Sequence, residues 1–173
     1  MLPKLTFVLG GAASGKSAWA ENLILSSKLS PAYVATGQVF DDETKAKVDL
    51  HKSRRGPEWA LFEAPGSLTS TLQQMQPDQS VLLDCATMWL TNRMLADGSM
   101  DSAPTEFLAE LSECKVPIIV VSNEVGQGIV PDNAMAREFR EAQGRLNIET
   151  AARADLVVQV VAGLPNVLKG ALP

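Results

Sequence analysis

Cysteine is scarce and net positive charge is absent in this sequence of 173 residues, and each shortage excludes a class of function. The two cysteines, Cys85 and Cys114, stand beside or within apolar stretches and belong to no CxxC or Cys/His metal-ligand spacing. We therefore expect two reduced thiols in the core of a cytoplasmic protein. The net charge is −5, so the basic surface of a nucleic-acid-binding domain is missing and no nucleic-acid partner is expected.

Long apolar runs are also missing. No stretch approaches the roughly 20 apolar residues of a membrane-spanning helix, so no membrane span is expected. The apolar segment 1–11 reaches its glycines too soon for a secretory signal peptide and lacks a small-residue cleavage site. The hydrophobic fraction of 46% and the charged fraction of 20% are typical of a globular protein, and the length predicts a single domain over residues 1–173.

Short apolar runs alternate with helical patterns along the chain. The runs are continuous rather than alternating, which predicts a parallel β-sheet covered by helices on both faces, an α/β fold. The predicted strands are 5–10, 32–36, 60–63, 80–84, 116–122 and, as the last one, 156–161. The predicted helices are 16–28, 42–51, 66–75 (started by Ser67), a stretch through Trp89 and Met94, 105–114 and 133–154, with a loop at 95–104.

A glycine-rich loop follows the first predicted strand and opens the first predicted helix. It matches the phosphate-binding pattern G-x-x-x-x-G-K-[ST] without a mismatch, through Gly10, Gly11, Ala12, Ala13, Ser14, Gly15, Lys16 and Ser17. Backbone N–H groups and the helix N-terminus would face nucleotide phosphates, and Lys16 would bridge the terminal phosphates. Ser17 would hold Mg²⁺. The alternative, an ordinary strand–helix turn, does not require this pattern.

Asp84 closes the predicted strand 80–84, where a second acidic ligand for Mg²⁺ is expected. The alternative is an N-cap for the helix that follows. A phosphate loop alone fixes the ligand and not the reaction. The strand ending in Ser122, Asn123, Glu124 and Val125 lacks the Lys and Asp of an N-K-x-D guanine signature, which argues against a regulatory GTPase.

The single histidine stands in the densest basic cluster of the chain, His51-Lys52-Ser53-Arg54-Arg55. A neutral imidazole could attack the α-phosphorus of a nucleoside triphosphate, while the cations offset charge on the transferred group. A solvated helix end with a surface histidine is the alternative. The segment 122–131 places two glycines and a proline after a strand, which predicts a shaped loop at the carboxyl edge of the sheet, with either a functional or a connecting role.

Taken together, these segments resemble one family from about residue 5 to residue 169. That family is the bifunctional adenosylcobinamide kinase / adenosylcobinamide-phosphate guanylyltransferase of cobalamin biosynthesis. The matching pieces are GGAASGKS at 10–17, VATG at 34–37, HKSRR at 51–55, W-x-x-x-E at 59–63, LLDCATMWLTN at 82–92, SNEVGQGIVP at 122–131, REFREAQGRLN at 137–147 and AGLPNVLK at 162–169.

The resemblance implies a P-loop α/β fold similar to recombinase-type ATPases, and two reactions. A nucleoside triphosphate phosphorylates adenosylcobinamide, and GTP then guanylylates a histidine, which passes GMP to the phosphorylated corrinoid to give adenosylcobinamide-GDP. The family's histidine corresponds to His51, and Lys16 is expected to be catalytic as well. Ser17 and Asp84 are expected to bind Mg²⁺ together with GTP or ATP. The implied nucleotide contacts are the loop 10–17, Ala35, Thr36, Gly37, Lys52, Ser53, Arg54, Arg55, Glu63 and Asp84. A homo-oligomer, a trimer in this family, is also implied.

Three departures from the family pattern are visible. Ala13 replaces the arginine of the usual GGARSGKS loop, Thr44 stands at a methionine position, and Gln127 stands where the family often has methionine. None of these departures falls at Lys16 or His51, so the activity is still expected. The rate and the substrate range stay open. Two other functions are alternatives for this sequence: a kinase without the guanylyl transfer, and a nucleotide-responsive binding module. The preference for ATP or GTP in the first reaction stays open.

Overall fold

The computed structural model describes residues 1–37, 56–97 (Asp97 by its backbone only) and 100–173. These residues form a seven-stranded sheet with the order β3-β2-β4-β5-β1-β6-β7. In this sheet order, each neighbouring pair from β3 across to β6 is parallel, and β7 pairs antiparallel with β6. The strands are β1 Leu5–Gly10, β2 Ser30–Ala35, β3 Ala60–Glu63, β4 Gln79–Asp84, β5 Ile118–Asn123, β6 Leu156–Val161 and β7 Leu164–Lys169.

Helices connect most of these strands. They are α1 Lys16–Leu25, α2 Thr69–Leu72, α3 Ala86–Asp97, α4 Ala103–Ser112 and α5 Ala134–Arg153. The longest, α5, begins where the sequence predicts, because the Asn133 side chain accepts a hydrogen bond from the Ala136 N–H at 2.7 Å and caps the helix. Among the described residues, no helix combines the length and the hydrophobicity needed to cross a membrane.

Two hydrophobic clusters cover the two faces of the sheet. Along β4, Val81 and Leu83 belong to one cluster and Leu82 to the other, because successive side chains of a strand point to opposite faces. The first cluster holds side chains of α2 to α5 and includes Phe107 and Leu146, whereas the second holds the buried face of α1. The predicted α/β architecture, a mostly parallel sheet with helices on both faces, is confirmed.

The prediction that the strand at 156–161 is the last one is wrong, because β7 follows it. The two residues between β6 and β7, Ala162 and Gly163, have φ values of 51° and 78°, the left-handed geometry of a tight hairpin turn. Every residue of β7 is exposed, so the strand lacks the apolar pattern of a buried one. A sheet tolerates proline best in an edge strand, and Pro165 lies in β7, which is one of the two edge strands of this sheet.

Two predicted boundaries also change. The loop predicted at 95–104 is too long, because α3 continues to Asp97 and α4 already begins at Ala103, with Pro104 in its first turn, where no N–H donor is needed. The helix predicted at 66–75 is reduced to α2. At the start of α2, the Glu110 carboxylate of α4 accepts hydrogen bonds from the backbone N–H groups of Leu68 and Thr69. The Thr69 N–H also donates to the Ser67 hydroxyl, at 3.3 Å. The helix predicted at 42–51 lies outside the described residues.

Candidate active site

The glycine-rich loop connects β1 to α1 and is tightly packed. Gly15 has a φ of 89°, a left-handed conformation that favours glycine. At Gly10, a Cβ atom would lie 2.5 Å from the Ser14 Oγ and 2.6 Å from the Val160 carbonyl oxygen, so no other residue fits. Ala13 also has a positive φ, 55°, and its side chain is exposed. The two glycines therefore let the chain turn sharply enough for the loop to close over the start of α1.

Lys16 is the first residue of α1, and its side chain stays over the loop rather than in solvent. Only 9% of the residue is exposed, and its Nζ donates to the Gly11 carbonyl oxygen at 3.1 Å. The Ser14 hydroxyl is buried, and in the described part of the chain no group pairs with it. A cation and an unpaired hydroxyl at a helix N-terminus fit the binding of phosphate oxygens.

The parallel sheet brings Asp84 to the same edge as this loop. Gly10 pairs with Asn123 in the β1–β5 register, and Asp84 ends β4 on the other side of β5. Helix α1, which carries Lys16 and Ser17, packs against β4. Cys85, not Asp84, immediately precedes α3, so Asp84 does not occupy the N-cap position of that helix. Ligands of open α/β folds bind at this edge.

The thiol of Cys85 lies where the charges of Asp84 and Lys16 both act. Burial raises the pKa of this thiol to about 12; the charge of Asp84 raises the pKa as well, and that of Lys16 lowers it. Burial also raises the pKa of Cys114. Both cysteines are free and buried, which agrees with the prediction of core thiols, and at neutral pH neither is a thiolate nucleophile.

Thr36 fixes the segment after β2 to the segment after β4. Its hydroxyl donates to the Cys85 carbonyl oxygen at 2.7 Å and accepts from the Cys85 N–H at 2.9 Å. Asn92 donates from its Nδ2 to the carbonyl oxygens of Thr36, at 2.6 Å, and Pro65, at 2.8 Å. Because Thr36 is fully buried, its side chain holds the backbone of Ala35, Thr36 and Gly37 in place.

Glu63 ends β3 at the same edge, since Ala35 is level with Glu63 on one side and with Asp84 on the other. The structure thus places the loop 10–17, the segment 35–37, Glu63 and Asp84 at one edge of the sheet, with β2, β4 and β5 between Glu63 and the strand that leads into the loop. The remaining predicted site residues, His51, Lys52, Ser53, Arg54 and Arg55, lie outside the described residues. Their roles stay predictions.

A buried polar network that sequence reasoning missed supports the end of β5. The Ser122 hydroxyl donates to Asn147 Oδ1 at 2.7 Å, and Gln143 Nε2 donates to both residues. Asn147 Nδ2 in turn donates to the Asn123 carbonyl oxygen at 3.3 Å, and the Glu124 N–H donates to the Gly10 carbonyl oxygen at 3.0 Å. The sequence signal that could have revealed this network is the i, i+4 spacing of Gln143 and Asn147, which places both amides on one face of α5.

The oxygen donors at this edge suit Mg²⁺ bound together with a nucleotide. Within the described residues, no three His, Cys, Asp or Glu side chains form a group that could hold a metal ion. Mg²⁺ typically takes one or two carboxylates, and phosphates and water supply the other oxygens. The Ser17 hydroxyl and the Asp84 carboxylate are half-buried groups of this chemical type, so the residues present fit the ion.

Comparison with known proteins identifies the family of this chain. Residues 6–168 match the family described as "Cobinamide kinase / cobinamide phosphate guanyltransferase". The chain is 40% identical to the Bifunctional adenosylcobalamin biosynthesis protein CobP of Pseudomonas aeruginosa, over 94% of this chain and 96% of that protein. It is 36% identical to the Bifunctional adenosylcobalamin biosynthesis protein CobU of Salmonella typhimurium, over 92% of this chain and 97% of that protein.

Among solved structures, a type III secretion system ATPase of pathogenic bacteria aligns with a TM-score of 0.62 and 12% identity, over 96% of this chain and 57% of that one. This likeness shows the fold, and the P-loop α/β prediction is confirmed. The family match and the two relatives confirm the predicted family and the prediction of an enzyme with kinase and guanylyltransferase activities. The chain belongs to the cobinamide kinase / cobinamide phosphate guanyltransferase family.

Proposed function

We propose that this enzyme phosphorylates adenosylcobinamide with a nucleoside triphosphate and then transfers GMP from GTP, through a covalent His51–GMP intermediate, to give adenosylcobinamide-GDP in cobalamin biosynthesis. The observation that carries the proposal is the meeting of the loop 10–17 and Asp84 at one sheet edge, with Lys16 held over the loop. The proposed location is cytoplasmic.

In the first reaction, the corrinoid hydroxyl attacks the γ-phosphorus, and the nucleoside diphosphate leaves. Charge on the transferred group and on the leaving oxygen is stabilised by Lys16 and by the N–H groups at the start of α1. Ser17 and Asp84 are the residues that would hold Mg²⁺, and the ion, when bound, supplies further neutralisation of phosphate charge. The chain's own contribution is therefore positioning and electrostatics.

In the second reaction, a neutral His51 nitrogen attacks the α-phosphorus of GTP, a P–N bond forms, and pyrophosphate leaves. A phosphate oxygen of the phosphorylated corrinoid then attacks the same phosphorus, the P–N bond breaks, and His51 is regenerated. Lys52, Arg54 and Arg55 are adjacent in sequence and offset the negative charge of the α-phosphate. This step is supported by the sequence cluster and by the family to which the chain belongs.

Incubation with α-labelled GTP tests the covalent step. We expect label on the denatured protein that is lost in acid and retained in base, because a histidine phosphoramidate is acid-labile. His51→Ala should carry no label and should keep the first reaction, assayed separately with adenosylcobinamide. Label that survives acid, or label on His51→Ala, would exclude this nucleophile. Absence of label from both proteins, with the first reaction intact, would leave a kinase alone.

A further inference from the structure

The turn between β6 and β7 contacts the glycine-rich loop directly, although the reactions proposed above assign no role to the segment 162–169. The Gly163 N–H donates to the Ser14 carbonyl oxygen with an N···O distance of 2.8 Å. These two residues come from opposite ends of the chain. The contact is therefore tertiary, and the local sequence around the loop does not provide it.

The backbones of the turn and the loop also pack closely. A Cβ atom on Gly15 would lie 2.9 Å from the Gly163 Cα and 3.3 Å from its nitrogen, so the loop rests against the turn without space for a side chain. Strand β6, which leads into the turn, pairs with β1, which leads into the loop. Because both segments continue from adjacent paired strands, their relative position is set by the sheet.

This hydrogen bond fixes the orientation of one peptide unit in the loop. The Ser14 carbonyl and the Gly15 N–H belong to the same peptide bond, and in a planar trans peptide the two groups point in opposite directions. Since the carbonyl is held toward Gly163, the Gly15 N–H must point away from the turn. Anion binding by such a loop requires N–H groups directed at the ligand and carbonyl groups directed elsewhere.

We propose that the Gly163 backbone N–H is a positioning group for nucleotide binding: it holds the Ser14–Gly15 peptide with its N–H available to the phosphates. The inference rests on the proposed use of the loop 10–17 as the phosphate site. It assigns a function to the β6–β7 turn, whose left-handed residues, with φ values of 51° and 78°, aim the donor at the loop.

Substitution of Gly163 by valine tests the proposal, with dissociation constants measured by calorimetry for Mg·GTP and for tripolyphosphate. A Cβ atom on Gly163 would meet no described atom within 4 Å, so the effect comes from the backbone, which a β-branched residue cannot keep at a φ of 78°. We expect both dissociation constants to rise about tenfold, because that is the effect of losing one hydrogen bond of ordinary strength. Gly163→Asn should stay within about threefold of the wild type, because asparagine tolerates this conformation.

Gly170→Ala is the matched control. Gly170 has the same φ, 78°, at the other end of β7, and its added Cβ would collide with the Asp155 carbonyl oxygen, away from the loop. It should lower the melting temperature at least as much as Gly163→Val while leaving both constants unchanged. If Gly163→Val does not fold, Gly163→Ala replaces it, with a rise of about threefold or more expected from a smaller backbone shift.

Wild-type affinity in folded Gly163→Val, or in Gly163→Ala where it replaces the valine variant, or an equal rise in Gly170→Ala, would overturn the positioning role. Lys16→Ala separates this failure from a failure of the proposed function. If Lys16→Ala loses affinity for tripolyphosphate and Gly163→Val (or its replacement Gly163→Ala) does not, the loop is the phosphate site and the turn plays no part in it. If Lys16→Ala binds tripolyphosphate normally, both the phosphate site and the inference are wrong.

Discussion

The central strands of the sheet and the terminal hairpin, formed by β6, the turn 162–163 and β7, contribute to the candidate site in different ways. Five of the six residues of β5 are buried, and the sixth, Asn123, stands at the carboxyl edge beside the loop. All six residues of β7 are exposed, and the turn that precedes this strand meets the loop through its backbone. The centre of the sheet supplies side chains, whereas the hairpin supplies a backbone contact.

From this difference we expect the two regions to tolerate substitution differently. Side chains in the centre are fixed by packing against helices on both faces, and the strand ends that they position carry the charged groups. In β7 the side chains are exposed, and in the turn before it the backbone geometry of two left-handed residues matters instead. Three pairs of variants test this contrast, in order of decreasing effect.

Lys16→Ala should reduce kcat/KM for the nucleotide about 10³-fold, or ~4 kcal/mol, because the ammonium group stabilises charge on the transferred phosphate. The matched variant is Lys169→Ala on β7, whose Nζ donates to the carbonyl oxygens of Ala151 and Ala152 at the end of α5. It should leave kcat/KM unchanged. Steady-state kinetics on folded proteins checks both, and near-normal turnover by Lys16→Ala would rule out the loop as the active site.

Leu83→Ala should lower the free energy of unfolding by about 3 kcal/mol, because Leu83 is fully buried in β4 and truncation leaves a cavity. Leu168→Ala in β7, where the leucine is 55% exposed, should change it by less than about 0.5 kcal/mol. Denaturant titration of both variants gives the comparison. A loss at Leu168 as large as that at Leu83 would contradict the view of β7 as a strand whose side chains lie in solvent.

Asp84→Asn should raise the Mg²⁺ concentration needed for half-maximal activity about tenfold, ~1.4 kcal/mol, with little change in melting temperature. Asp155→Asn is the control. Asp155 precedes β6 at the opposite edge of the sheet and accepts from the Leu5 N–H at 3.0 Å, a bond that the asparagine oxygen can retain. If Asp84→Asn instead mainly lowers the melting temperature, Asp84 has a structural role.

Much of this architecture was predictable because its signals are local. The continuous apolar runs of β1, β4 and β6 predicted buried parallel strands, and Asn133 predicted the start of α5. The parallel arrangement then implied that Asp84 and the glycine-rich loop share one edge. Strand β7 was missed because its signal is not local. Pro165 and the exposed side chains give no apolar pattern, and the segment is a strand because its backbone pairs with β6.

The sequence by itself determined the phosphate loop, the family, the α/β class and the identity of the charged residues, because each depends on a pattern of neighbouring residues. Only the tertiary structure decided that Thr36 ties two strand ends together, that Gln143 and Asn147 support β5, and that Gly163 holds the loop. Each of these contacts joins residues on separate elements. Their partners are chosen by strand order and register, which backbone hydrogen bonding and burial fix only when the whole sheet assembles.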